Sequence, residues 1–153
     1  MANFTGANVC DVVEIETYQP DIFGFGIASG DSKVSHYISQ TTNDIFRELR
    51  IRWWSVYKTN VYTDITVLNT EEMVNTKVNL DQFKRAGVYL FLYKYFCPAL
   101  SKFRPEADKD RFERMAEHYQ SEFNKELRSV LEDGVEYDSK TDGTISVNER
   151  EPL

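Results

Sequence analysis

Residues 108–137, DKDRFERMAEHYQSEFNKELRSVLEDGVEY, decide how this chain is read. Phe112, Met115, Ala116, Tyr119, Phe123, Leu127, Val130 and Leu131 recur every three to four positions, while Glu, Arg and Lys fill the remainder. That period predicts an amphipathic helix from Asp108 to Asp133 with one buried face. Gly134 is placed to stop it, because glycine accepts the left-handed conformation that closes many helices. Beyond it the period changes to two. Val135, Tyr137 and Ser139 alternate on one strand and Ile145 and Val147 on a second, around the turn Lys140-Thr141-Asp142-Gly143. Asp-Gly between alternating segments is a strong hairpin signal. A polar tail, Arg150-Glu151-Pro152-Leu153, follows.

Two more long helices are expected upstream. Asp31 or Ser32 caps the first, whose stripe is Val34, Ile38, Thr41 or Thr42, Ile45, Leu49, Trp53 and Val56. A hydroxyl or carboxylate at the first position satisfies the free N–H groups of the opening turn. The run Arg50-Ile51-Arg52-Trp53-Trp54 ends this helix, with Trp54 off the stripe. Asn79 caps the other, from Leu80 to about Lys102, which is apolar nearly all round and belongs at the centre of a bundle. Pro98 lacks an N–H and should kink that helix or end it near Cys97. The stretch 58–79 reads as a long, mostly irregular connector. Before residue 30, Asp11–Tyr18 is long enough for one or two helical turns. Ile22, Phe23, Phe25 and Ile27 are expected to fold over the core from a glycine-broken loop.

The fold class is therefore mainly α: a small bundle of three long helices with short helical segments, then a C-terminal β-hairpin and extended tail. The bundle domain takes residues 1–133 and the hairpin with its arm 134–153.

The 153 residues suffice for one domain with a real core. A net charge of −7 weighs against a protein that grips DNA phosphates, since such binding is driven by basic faces. Cys10 and Cys97 stand far apart with no CxxC or Cys/His cluster, which favours free thiols in a reducing compartment. The opening Met1–Gly6 has neither the charge nor the apolar run of a secretory signal. The apolar run Ala86–Leu100 is too short to span a bilayer and contains Lys94, so no membrane role is expected.

Little of the sequence carries chemistry. No P-loop, nucleophile elbow or HExxH pattern occurs, and no motif implies a cofactor or metal. His36 and His118 sit among charged residues and read as surface imidazoles. Asp138 to Glu149 matches part of an EF-hand loop: Asp138, Asp142, Gly143, Ile145, Ser146 and Glu149 fall on loop positions 1, 5, 6, 8, 9 and 12. Lys140 stands where position 3 needs an oxygen, and Gly134 separates the segment from the preceding helix. The hairpin is the stronger reading, with a small regulatory helical protein carrying one degenerate calcium loop as the alternative. Arg47, Arg50, Arg52 and Lys58 with Trp53 and Trp54 form the single basic–aromatic group. It suits nucleic-acid stacking, core packing, or a protein contact rich in Arg and Trp.

Several segments together resemble the head–tail connector proteins of tailed bacteriophages, also called adaptor or head-completion proteins. Tyr18-Gln19-Pro20-Asp21-Ile22 before a glycine-rich turn is similar to their N-terminal segment. Asn43-Asp44-Ile45 and Arg52-Trp53-Trp54 are similar to their first bundle helix, and Ala86-Gly87-Val88-Tyr89-Leu90-Phe91-Leu92 to their central apolar helix. Asp108–Leu131 with Gly134–Asp138 and Asp142-Gly143 is similar to their last helix and ribbon. The connector 58–79 departs from the pattern in being longer and more polar. The resemblance implies a non-enzymatic virion protein in the neck between capsid and tail, present in the host cytoplasm during assembly. It implies a homo-oligomeric, dodecameric ring beneath the portal protein, in contact with tail or neck proteins, through which DNA passes. It assigns portal binding to the C-terminal ribbon and tail, here Val135, Tyr137, Ile145, Val147, Arg150 and Leu153. Arg50, Arg52 and Trp54 are the expected subunit contacts.

Overall fold

A computed structural model describes residues 8–54, 78–102, 106–137 and 146–148, and its architecture is mainly α. Helix α1 is Val12–Tyr18, and a 3-10 turn follows at Ile22–Gly24. Helix α2 is Ser32–Leu49, extended by a wider π-type turn, Arg50–Trp54. Helix α3 is one rod in four pieces: 3-10 at Leu80–Phe83, α at Lys84–Leu90, π at Phe91–Phe96 and α at Cys97–Ser101. Helix α4 is Glu106–Asp133, opening two residues before the sequence places it. Strands β1, Val135–Tyr137, and β2, Ser146–Asn148, form an antiparallel ribbon with Glu136 opposite Val147.

The capping chemistry acts as the sequence indicates. Asp31 accepts a 2.9 Å hydrogen bond from the Lys33 N–H, and Asn79 accepts one of 3.1 Å from the Asp81 N–H. Caps of this kind contribute about 1 kcal/mol each. Gly134 closes α4 at φ 107°, its N–H donating to the Val130 carbonyl at 3.1 Å. A side chain is strained at that φ.

Helix α3 is the hub, with Phe83, Ala86, Val88, Phe91, Leu92, Phe96 and Cys97 fully buried. From α2 come Val34, Ile38, Ile45, Phe46, Leu49 and Trp53; from α4 come Phe112, Tyr119, Phe123, Leu127 and Val130. Both threonines of α2 lie in the buried stripe. Their hydroxyls donate to the carbonyls four residues back, Thr41 to Tyr37 at 2.8 Å and Thr42 to Ile38 at 3.0 Å, so neither is left unsatisfied. Ile22 is fully buried, and Phe23, Phe25 and Ile27 pack over the core as expected. The ring centroid of Phe23 lies 5.1 Å from that of Phe96, and that of Phe25 lies 5.3 Å from that of Phe112.

Pro98 does not end α3, which runs on to Ser101. The π turn immediately before it shifts the hydrogen-bond register, with the Cys97 N–H donating to Leu92, five residues back. A proline in the first turn after such a shift loses little, because the ladder has already been re-registered upstream.

Gly87 permits a close approach in the core. A Cβ built there would meet Val9 Cγ1 at 2.8 Å, and Val9 is held by its N–H donating to Thr42 Oγ1 at 3.0 Å. Valine is stiff at χ1 and cannot swing aside. Gly87→Ala gains about 1 kcal/mol of helix propensity but incurs the 1–3 kcal/mol typical of overpacking. We expect a net loss of about 0–2 kcal/mol in urea denaturation, partly recovered when Val9→Ala is added. A stabilised Gly87→Ala protein would contradict the seating of Val9.

Candidate assembly interface

The ribbon is not an appendage at its first strand. Val135 and Tyr137 are 0% and 4% exposed and join the same core as the helices, so the boundary at residue 134 does not separate two cores. The Tyr137 ring lies 5.8 Å from that of Trp53. These two side chains, expected to meet a portal, are instead used inside the chain. The reason is period two: the face of β1 that alternates apolar is the face turned to the bundle.

One edge of β1 is sealed by the start of α3. The Glu136 N–H donates to Gln82 Oε1 at 2.7 Å, and Gln82 Nε2 donates to the Gly134 carbonyl at 3.0 Å. The Gln82 amide thus pairs on both sides of Val135 as a neighbouring strand would. The edge continues with the Asn79 N–H donating to the Glu136 carbonyl at 2.9 Å, and with Val78 bridging Tyr137 in antiparallel fashion. Asn79 Nδ2 also donates to Glu136 Oε2 at 2.6 Å. The other edge of β1 carries β2. Among the described residues nothing pairs with the outer edge of β2, so Ser146–Asn148 is where an added strand would go.

The other expected interface residues divide. Val147 lies in β2, opposite Glu136. Ile145, Arg150 and Leu153 fall outside the described residues, as do the turn 140–143 and the connector up to residue 77. Arg52 is exposed, and its Nε pairs with Glu48 at 3.0 Å one turn back. Arg50 is half-buried beside it. The side chain of Trp54 is outside the described residues, whereas Trp53 is fully buried and unavailable for stacking on a base. Of the EF-hand-like segment 138–149, Ser146–Asn148 is extended and paired with β1, and the rest lies outside the described residues.

Sequence reasoning gave Gln82 and Glu136 no role. Polar residues in the opening turn of an apolar helix are a signal, but they read equally well as capping. Lys94 carried a clearer one: a cation in an apolar run needs a carboxylate. Asp44 supplies it at 2.9 Å and also accepts from the Tyr95 hydroxyl. Burial first, and that bond second, hold the Tyr95 phenol far above the usual range.

His36 and His118 are exposed. Cys10 and Cys97 are buried free thiols whose pKa burial pushes up to about 12, with Glu14 and Asp11 adding to the effect at Cys10. We expect both to resist a disulfide-exchange reagent at pH 8 in the native protein and to react fully in denaturant. Thiols held neutral add stability below the unfolded value of about 8.5, and that contribution is lost as pH rises toward the folded value. The urea midpoint should therefore fall between pH 8 and pH 10. Rapid native labelling of either cysteine would contradict the burial.

Among the described residues no group of three or more His, Cys, Asp or Glu is placed to hold a metal, and no helix is long and apolar enough to cross a membrane. No family model, curated protein or solved structure matches the chain.

Proposed function

We propose that this chain is a structural protein of the head–tail connector of a tailed bacteriophage, acting by assembly rather than by catalysis. It forms a ring beneath the portal, bridges portal to tail, and lets DNA pass. The observation that carries the reading is the one-sided ribbon: helix side chains seal one edge of β1, and among the described residues nothing pairs with the outer edge of β2. A two-stranded ribbon is marginal alone and gains most from a third strand. The order of parts along the chain, similar to that of the connector family, supplies the identity of the partner. The acidic balance agrees with a conduit that does not hold its cargo.

With Val135 and Tyr137 in the core, the portal contact falls on β2 and the segment after it, Val147, Arg150 and Leu153 included. Arg50, Arg52 and Trp54 remain the proposed subunit contacts. Quantitative mass spectrometry of purified particles tests the reading. A fixed copy number on the order of a dozen, as a closed cyclic ring requires, is the expected result. Absence of the chain from particles would overturn it.

A further inference from the structure

Residues 8–18 cross the bundle as a strap that is fastened along one side. Val9, Cys10 and Ile15 are buried and Val12 half-buried, while Asp11, Val13, Glu16, Thr17 and Tyr18 are exposed. One buried hydrogen bond holds the main chain, from the Val9 N–H to Thr42 Oγ1 at 3.0 Å, beside the notch that Gly87 leaves for the Val9 side chain. Among the described residues the other polar ties lie at the surface. Glu14 stands 3.7 Å from the exposed Lys84, and Arg85 Nε donates to the Tyr18 hydroxyl at 3.0 Å. Exposed pairs of this kind contribute little. Helix α1 itself has seven residues, too few to keep its shape in water unaided. Past it the fastening changes. Gln19 Oε1 accepts from the Tyr119 hydroxyl at 2.6 Å, exposed Pro20 and Asp21 follow, and then fully buried Ile22 begins the stretch whose phenylalanines pack on Phe96 and Phe112.

We infer that residues 8–18 release from the bundle as one unit, hinged at Gln19–Asp21, while α2, α3 and α4 stay folded. Segments that open locally are those with few buried apolar side chains and with bonds at the surface. Release exposes Val9, Cys10 and Ile15, whereas global unfolding exposes the whole hub. It also leaves the bundle satisfied. The Thr42 hydroxyl loses the Val9 N–H as a donor, keeps its own 3.0 Å bond to the Ile38 carbonyl, and can take water in place of the strap. What is bared is a notch at Gly87 cut to one branched side chain, next to an acceptor for one main-chain N–H. The two thiols report different events. Cys10 leaves the core with the strap. Cys97, fully buried in the second half of α3, comes out only when α3 parts from its neighbours. Nothing in this motion depends on a portal or a ring.

Timed alkylation of the unmodified chain at pH 8 tests it, with each cysteine read separately by mass spectrometry of the digested protein. At reagent levels where the rates stay proportional to reagent, each rate follows the population of the form that exposes that thiol. Both are slow, by different routes. Cys10 should react at least about tenfold faster than Cys97, and still at least about tenfold slower than in denaturant. Its rate should climb with urea on less than about half the slope of Cys97, because that slope scales with the surface exposed. Two variants separate the routes. Trp53→Phe weakens the bundle away from the strap, so it should speed Cys97 by about fivefold or more and leave Cys10 within about twofold. Gly87→Ala presses a Cβ on Val9, and its gain in helix propensity is common to the open and closed forms. It should therefore speed Cys10 by about fivefold or more, and by a larger factor than Cys97. Equal rates with a shared urea slope, or a Trp53→Phe effect of the same size on both thiols, would show that the strap comes away only with the bundle. Cys10 reacting as fast as in denaturant would show that it is not closed at all. Either result overturns the proposal.

Discussion

On the connector reading, a chain that ends at Ser139 should keep its helical bundle and lose its place in the particle. Deleting Lys140–Leu153 removes β2 and everything after it. It leaves β1 held by the Gln82 amide at 2.7 and 3.0 Å, by Asn79, and by the burial of Val135 and Tyr137. The cost to folding is a few ribbon hydrogen bonds at a net 0.5–1.5 kcal/mol each, or about 1–3 kcal/mol, with the helical circular dichroism unchanged. The cost to incorporation is larger. Losing even two net main-chain bonds of about 1.5 kcal/mol each to an added partner strand weakens binding roughly a hundredfold. Val135→Asp provides the contrast. It buries an unpaired carboxylate and should unfold the bundle outright rather than uncouple it from a partner. Truncated chains that enter particles at the full copy number would show that the ribbon grips nothing.

The separation of these two effects was only half legible in the sequence. Period and caps gave the helices: Asp31, Asn79 and Gly134 stand where they were expected, the described stripe of α2 is buried, and that of α4 is buried except at Met115, Ala116 and Leu131, which pack against the core half-exposed. The alternation of Val135 and Tyr137 gave a strand but not its side. Alternation says that one face is covered, and it does not distinguish a partner from the chain's own bundle. The deciding contact, from Gln82 to Gly134 and Glu136, spans more than fifty residues, and no local rule reaches that far. That Pro98 does not end α3 has a related reason. Its penalty assumes an unbroken α-ladder, and the π turn Phe91–Phe96 had already broken it. Gly87 in an apolar helix suggested nothing until Val9 was found against it.

Trp53→Ala should be the most damaging single truncation and should act through stability alone. The side chain is fully buried at the end of α2, with the Tyr137 ring 5.8 Å away. Removing a buried tryptophan costs about 3–5 kcal/mol, roughly a fifth or more of the 5–15 kcal/mol that holds a typical domain folded. For a chain of this size that lowers Tm by roughly 6–20 °C. Trp53→Phe retains an aromatic face against Tyr137 and should cost less than half as much. A double-mutant cycle with Tyr137→Leu should give a coupling of about 0.5–1.5 kcal/mol, the range for a ring pair beyond its buried area. The competing use of this residue, stacking on a nucleic-acid base, predicts the reverse: an unchanged Tm and a lost, salt-dependent affinity for DNA. The two outcomes share no ground. On the connector reading, a tryptophan that packs β1 against α2 affects particle incorporation only through the fraction of chain that is folded. At temperatures where Trp53→Phe remains folded, that variant should enter particles at the normal copy number.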